Sequence, residues 1–331
     1  MGERVAIILA AGVSSRMNTN KPKVLHEVCG RAMLAYVIDA CRDAGVSRIY
    51  VVVGYGAEQV AERFGKNDDI VWVRQEQQKG TADAVLCCKE HLTDFEGDTL
   101  ILCGDGPLIR AETLKILVEK HESEKASTTL ATALLEDPTG YGRINRDAYG
   151  NIQGIIEHND CSAEQLAIKE VNPSYYLFNN KLLFEALEKV TPDNVKNEYY
   201  LTDALEIIIA SGHKVVAVTA VRPEEAMGIN SRAQLSEVSK IMQQRIHDKL
   251  MNDGVTIVDP DNTWIDAKAQ IGQDSLIEPF TYIHGDVKIG KGCRVGPLAF
   301  VGDGTVLEDG TDIRPGTVME QQSIGRYRQK G

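Results

Sequence analysis

From residue 5 the chain alternates short β-branched apolar runs with stretches of helical spacing. Val5–Leu9, Ile49–Val53, Ile70–Val73 and Leu100–Cys103 read as strands, and Met33–Ala44, Thr81–His91 and Glu112–His121 read as the helices between them. Strands that are apolar throughout and separated by helices imply a parallel sheet covered on both faces. Beyond residue 125 the alternation loosens. Thr128–Leu135 and Lys214–Thr219 read as strands, Glu198–Ala210 as a helix, and Asp137–Gly154 as a stretch of turns. These are insertions on the same sheet. Ser231–Asn252 then carries Leu235, Val238, Ile241, Met242, Ile246 and Leu250 at helical spacing and closes before Gly254, which predicts one long linking helix.

After that helix the period changes from 3.6 to six. Steps of six from Ile265 meet Ile271, Ile277, Ile283, Ile289, Val295, Val301, Leu307 and Ile313, and the residue four further on is small or β-branched in every repeat. Such a pattern fits a hexapeptide β-helix, with one short strand per repeat, the aliphatic side chain inside, and glycines such as Gly272 and Gly290 at the corners. Three strands per turn give three turns. The expected division is an α/β unit over 1–230, a linker helix over 231–254, the β-helix over 255–320 and a polar, frayed tail over 321–331.

Composition narrows the function classes. Hydrophobic residues make up 43% of the 331 positions, which suffices for a sizeable core. Thirty-six basic against 48 acidic residues leave a net charge of −12, which argues against nucleic acid or an anionic membrane as partner. The apolar run at the N-terminus is too short for a signal peptide, and no run is long enough for a membrane span. Seven scattered cysteines without a C-x-x-C read as reduced thiols in the cytoplasm.

Two loops carry candidate chemistry. The first strand runs into Leu9-Ala10-Ala11-Gly12-Val13-Ser14-Ser15-Arg16-Met17, followed by Asn20-Lys21-Pro22-Lys23. Small residues let backbone N–H groups approach an oxyanion, and Arg16 and Lys23 put two cations on the same loop, as a polyphosphate cradle requires. The loop matches neither the P-loop nor the dinucleotide fingerprint, and taken alone it is also compatible with an ordinary turn. The second loop is Cys103-Gly104-Asp105-Gly106-Pro107, a carboxylate at the carboxyl end of a strand, where open α/β sheets bind ligands. Among phosphates, Asp105 is placed to hold Mg²⁺. The bland alternative is an Asp in a turn before proline.

Leu-Ala-Ala-Gly-x-x-x-Arg-Met with Pro22-Lys23-Val24-Leu25 resembles the signature of sugar-1-phosphate nucleotidyltransferases. Further matches at Gln75-x-x-Gln78-x-Gly80-Thr81, Asp137-Pro-Thr-Gly-Tyr-Gly-Arg-Ile144, Gly154-Ile-Ile-Glu-His158, Glu198-Tyr-Tyr-Leu-Thr-Asp203 and Gly228-Ile-Asn-Ser-Arg232 narrow the resemblance. They are similar to the uridyltransferase half of the bacterial bifunctional N-acetylglucosamine-1-phosphate uridyltransferases and glucosamine-1-phosphate acetyltransferases. The resemblance implies a Rossmann-like domain with a mostly parallel sheet, then a short left-handed parallel β-helix. It also implies UTP and N-acetylglucosamine 1-phosphate as substrates, UDP-N-acetylglucosamine and pyrophosphate as products, and Mg²⁺ as cofactor. β-Helices of this type often associate as trimers along their flat faces, so a homotrimer through the β-helix is a further expectation. By similarity Leu9, Ala10, Ala11, Gly12, Gln75, Gln78, Gly80, Thr81 and Gly104 would hold the nucleotide, and Gly142, Glu157 and Asn172 the sugar. Asp105 and Asn230 would bind the metal, and Arg16 and Lys23 would be the catalytic cations.

The sequence departs from that family at several points. Ser14 stands for a common glycine, Cys103 for a frequent tyrosine, Asp83 for a frequent histidine, and Asn172-Pro173-Ser174 for Asn-Thr-Gly. The last bears on the identity of the sugar. No acetyltransferase residues follow Ile313, so that activity is expected to be absent. A different sugar 1-phosphate is the competing enzyme reading. A non-catalytic sugar-nucleotide-binding subunit is the competing reading outside catalysis, opposed by the joint presence of Arg16, Lys23, Asp105 and Asn230.

Overall fold

The computed structural model describes residues 2–12, 15–321 and 323–324. Ser14 and the polar tail, apart from residues 321, 323 and 324, lie outside the described residues. The chain forms two compact units. One comprises the residues up to His26 with Met33–Ser231, and the other Glu27–Ala32 with the residues from Arg232 onward.

The first unit is built on a sheet whose strands run, from one edge, Val215–Thr219, Thr128–Leu134, Glu170–Asn179, Asp98–Cys103, Arg4–Ala10, Arg48–Val53 and Ile70–Arg74. Arg4–Ala10 lies in its interior, parallel to Asp98–Cys103 on one side and to Arg48–Val53 on the other. Its Ala6, Ile7 and Ile8 are fully buried, the mark of a strand covered on both faces. The helices Met33–Asp43 and Ala111–Glu124 fall between strands as the alternation predicts, and a further helix, Ala57–Phe64, not among those read from the sequence, lies between Arg48–Val53 and Ile70–Arg74. The run read as one helix over Thr81–His91 is instead two short helices, Thr81–Leu86 and Lys89–Leu92, broken at Cys87-Cys88.

The interruptions are more ordered than the sequence suggests. Glu170–Asn179 runs antiparallel between Asp98–Cys103 and Thr128–Leu134. The turn-rich stretch over 137–154 contains a hairpin, Gly142–Arg146 with Ile152–Ile156, which joins the sheet through Val171 and Asn172. Periodicity misses Glu170–Asn179 because Pro173 sits in it. The register against Thr128–Leu134 shifts between Val171 and Tyr175, so the proline lies in a bulge where no ladder N–H is needed. Ser174 in the same bulge has φ +68, the left-handed region that glycine usually fills.

In the second unit each hexapeptide contributes one two-residue strand, and the strands stack as three four-stranded parallel sheets. Ile265, Ile277, Ile283, Val295 and Val301 are wholly buried inside, and the stack continues past the aliphatic repeat to Met319 and, within the stretch expected to fray, to Ser323–Ile324, which pairs with Val306–Leu307. It also begins earlier, with Thr256–Ile257 paired to Leu276–Ile277. The helix Arg232–Asn252 packs on the first coils. Gln243 clasps the Ile265 backbone, donating from Nε2 to its carbonyl at 2.6 Å and accepting from its N–H at 3.0 Å. Two short strands, Glu27–Val28 and Arg31–Ala32, join this unit through an Ala267 N–H bond to the Cys29 carbonyl at 3.0 Å.

Candidate functional site

The two candidate loops leave the sheet side by side. Leu9 pairs with Cys103, and the Gly104 N–H donates to the Leu9 carbonyl at 2.9 Å, so Ala10-Ala11-Gly12 and Gly104-Asp105 occupy one edge. After the first loop Pro22 leads into the short 3₁₀ turn Lys23–Leu25, whose Val24 and Leu25 are buried while the Lys23 side chain reaches back to the edge. Its ammonium contacts Asp105 Oδ2 and donates to Asn230 Oδ1 at 2.7 Å. Arg16 donates to the same Asn230 oxygen at 2.9 Å. Asn230 is brought here by the Ile229 N–H, which donates to the Asp105 carbonyl at 3.0 Å.

Two oxygens from residues far apart in the chain therefore converge on one cation, here the Lys23 ammonium. That donor set, a carboxylate and an amide oxygen, suits a hard divalent ion that completes its coordination with water and phosphate. Among the described residues no group of three or more His, Cys, Asp or Glu side chains could hold a metal by itself.

Beside this edge opens a cavity of about 530 Å³, of the size that small ligands occupy. Leu9, Ala10, Ala11, Gly12, Lys23, Gln75, Gln78, Gly80, Thr81, Asp105 and Glu157 all line it. Gln75, 4% exposed, follows the strand Ile70–Arg74 and is fixed by its N–H to the Val53 carbonyl at 2.8 Å. Gly80 has φ +124, and a Cβ there would lie 2.3 Å from the Tyr199 carbonyl oxygen, so both conformation and space demand glycine. Neighbouring bonds lock this loop to the next element: Ala82 N–H to the Tyr199 carbonyl at 2.9 Å, and Leu201 N–H to Thr81 Oγ1 at 2.9 Å.

Arg16, Gly104, Gly142, Asn172 and Asn230 do not line the cavity. Arg16 and Asn230 belong to the cation cluster at the Lys23 ammonium. Gly142 and Asn172 stand behind Glu157. A Cβ on Gly142 would lie 3.6 Å from Glu157 Oε1 and 3.7 Å from Asn172 Cβ. The Asn172 amide is engaged within its own strand, accepting from the Ser174 N–H at 3.0 Å and donating to the Tyr176 hydroxyl at 2.6 Å. Burial pushes the Glu157 carboxyl above the usual range, against the opposing pull of Lys196.

Several lining residues escape sequence reasoning. Cys103 and Ser174, noted only as departures from a family pattern, both line the cavity. Burial first, and then the nearby Asp105, raises the Cys103 thiol to about 12, so it is a neutral packing group rather than a nucleophile. Lys196, Glu198 and Tyr200 also line it. They come from an irregular stretch before the helix Leu201–Ala210, and their one sequence signal is the Glu198-Tyr-Tyr motif. Tyr200 is 8% exposed, so it both packs into the core and lines the cavity.

A mostly parallel sheet with the Arg16 and Lys23 cations, the Asp105 carboxylate and the Asn230 amide gathered at its carboxyl edge fits the class of nucleoside-triphosphate transferases. Residues 6–224 match the MobA-like NTP transferase domain, and residues 268–303 match six bacterial transferase hexapeptide repeats. The chain belongs to the family of the bifunctional protein GlmU. It is 44% identical over 325 residues to the GlmU of Geobacillus sp. (strain WCH70), covering 98% of this chain and 70% of that one. Identity is 46% over 306 residues with the protein of Caldanaerobacter subterraneus subsp. tengcongensis, covering 92% and 66%, and 42% over 333 residues with that of Listeria welshimeri, covering 99% and 72%. A crystal structure of UDP-glucose pyrophosphorylase complexed with UDP-glucose superposes with a TM-score of 0.61 at 18% identity over 74% of this chain and all of that one, a likeness of fold. The mostly parallel transferase sheet and the left-handed β-helix expected from the sequence are therefore both present. The chain is an enzyme of nucleotidyl transfer to a sugar 1-phosphate. Among the described residues no helix is long and apolar enough to cross a membrane.

Proposed function

We propose that this site transfers a uridylyl group from UTP to N-acetylglucosamine 1-phosphate. A phosphate oxygen of the sugar phosphate attacks the α-phosphorus of UTP, the bond from that phosphorus to the bridging oxygen breaks, and pyrophosphate leaves as UDP-N-acetylglucosamine forms. The observation that carries this reading is the convergence of Lys23, Arg16, Asp105 and Asn230 on one point at the end of the central strands.

Charge governs the chemistry. Both reactants are anions, and the nucleophile is already ionised at neutral pH, so little acid–base work remains. Lys23 and Arg16 would offset the phosphate charge, and the backbone amides of Ala11 and Gly12 would cradle the phosphates. Asp105 and Asn230 would hold Mg²⁺, which when bound screens the triphosphate and the departing pyrophosphate. Leu9, Ala10, Gln75, Gln78, Gly80, Thr81 and Gly104 would fix the nucleoside, and Glu157, with Gly142 and Asn172 behind it, the amino sugar. Holding two anions in line contributes the rest of the rate.

The free cysteines, buried or half-buried throughout, support a cytoplasmic setting, and the exposed Phe280, Leu298 and Val318 support a trimer through the β-helix. A second reading, another sugar 1-phosphate, is favoured by the internally engaged Asn172 amide and the Pro173-Ser174 bulge. Pyrophosphate release from UTP with Mg²⁺ tests both. Release with N-acetylglucosamine 1-phosphate well above that with glucose or galactose 1-phosphate supports the first. A reversed preference supports the second, and no release with any of them removes both.

A further inference from the structure

Gln75 is held in a way that decides which end of its amide a ligand meets. Its Nε2 lies 2.7 Å from Asp83 Oδ2 and 3.3 Å from the Gly80 carbonyl oxygen. Amide oxygen and nitrogen are assigned from their surroundings, and here the surroundings leave no choice. A peptide carbonyl and an ionised carboxylate can only accept, so the nitrogen must face them and give both hydrogens away. What Gln75 has left is Oε1, an acceptor, on a side chain that lines the cavity and is otherwise buried.

We propose that Asp83 is a positioning residue for nucleobase choice: it locks the Gln75 amide so that the site presents an acceptor and takes a base whose ring nitrogen carries a hydrogen. Uracil meets that demand through N3–H, whereas the N3 of cytosine is itself an acceptor and would face Oε1 lone pair to lone pair. This rests on the reading of Gln75 as a contact to the base. Asp83 does not line the cavity; it is half-buried in the helix Thr81–Leu86 and acts through Gln75. A site built to pair with one hydrogen-bonding pattern rejects the complementary one strongly, because the mismatch leaves buried polar groups unpaired.

The test is the ratio of kcat/KM for UTP to that for CTP in the full chain and in Asp83→Asn. Asparagine keeps the shape but can accept or donate, so the flipped Gln75 amide is no longer rejected at position 83 and is opposed only by the Gly80 carbonyl. The ratio should fall by about 10-fold, with the KM values for the two nucleotides moving in opposite directions. Asp83→Glu, which can only accept, should hold the ratio close to the unsubstituted value. An unchanged ratio in Asp83→Asn overturns the role of Asp83 and leaves the uridylyl reading standing. An equal loss with both nucleotides, accompanied by a lower Tm, overturns it in favour of a structural role. If Asp83→Asn does not fold, Asp83→Ser removes the same lock and carries the same expectation. An unsubstituted enzyme that turns over UTP no better than CTP removes the base assignment itself.

Discussion

In the β-helix, residues that stack are eighteen apart, as Ile265, Ile283 and Val301 are, and every coil repeats the same contact. In the α/β unit the cavity gathers Gly12, Lys23, Gln75, Asp105, Glu157 and Lys196, no two of which share a repeat. The first region buries side chains by a local rule, applied until the chain stops obeying it. The second assembles a site from separate loops tied to the sheet and to one another by individual backbone bonds: Gly104 to Leu9, Gln75 to Val53, Tyr199 to Lys79, Ile229 to Asp105. A substitution in the first region should therefore be felt as lost packing. In the second it should be felt as lost function with the fold retained.

The largest effect tests that second half. Lys23→Ala removes the ammonium shared by Asp105 and Asn230 but leaves buried Val24 and Leu25 to hold the turn. Turnover in pyrophosphate release should fall by about 10²–10³-fold or more, as when a charge-stabilising donor is deleted, while thermal unfolding stays close to that of the unsubstituted chain. Near-normal turnover would take Lys23 out of the phosphate site. The converse is Ile277→Ala, at a wholly buried position in the β-helix. It should cost about 2–5 kcal/mol of the second unit's stability, read as an earlier unfolding transition, with turnover per folded molecule kept. If turnover drops in step with stability, the separation between a packing region and a working region fails.

The same contrast explains what the sequence could say. Nine repeats announce the β-helix because its interior is a function of position modulo six. The strands Arg4–Ala10, Arg48–Val53 and Asp98–Cys103 are legible because burial on both faces makes their inner runs, Val5–Leu9, Ile49–Val53 and Leu100–Cys103, continuously apolar. Glu170–Asn179 is illegible for a physical reason: a bulge lets Asn172, Pro173 and Ser174 sit inside a strand, breaking both alternation and propensity. The strands Glu27–Val28 and Arg31–Ala32 are too short to carry any period, yet Gly30 is specified tightly, with φ +74 and a Cβ that would fall 2.4 Å from Asp266 Oδ2. Of the site, the Lys23 and Asp105 loops could be argued from their chemistry. Asn230, Glu157 and Asn172 came from family resemblance, since isolated Asn and Glu residues have no signature, and Cys103, Ser174 and Lys196 were found by the cavity itself.

The smallest effect concerns a group near the cavity that packing, not catalysis, has perturbed. Asp203, on the helix Leu201–Ala210, has its carboxyl raised from 3.8 to about 6, by burial first and then by Glu206, Glu157 and Asp160. The folded chain thus holds that proton more tightly than the unfolded chain does. Its contribution to stability is full below about pH 3.8 and is lost as pH rises through about 6. Asp203→Asn imitates the protonated form at every pH. The variant should therefore melt about 2–4 °C higher than the unsubstituted chain at pH 8, and the gap should close as pH falls toward 4. Melting curves at pH 4, 6 and 8 decide it. A gap that stays constant across that range would mean that Asp203 titrates normally and that the acidic cluster behind Glu157 is open to solvent.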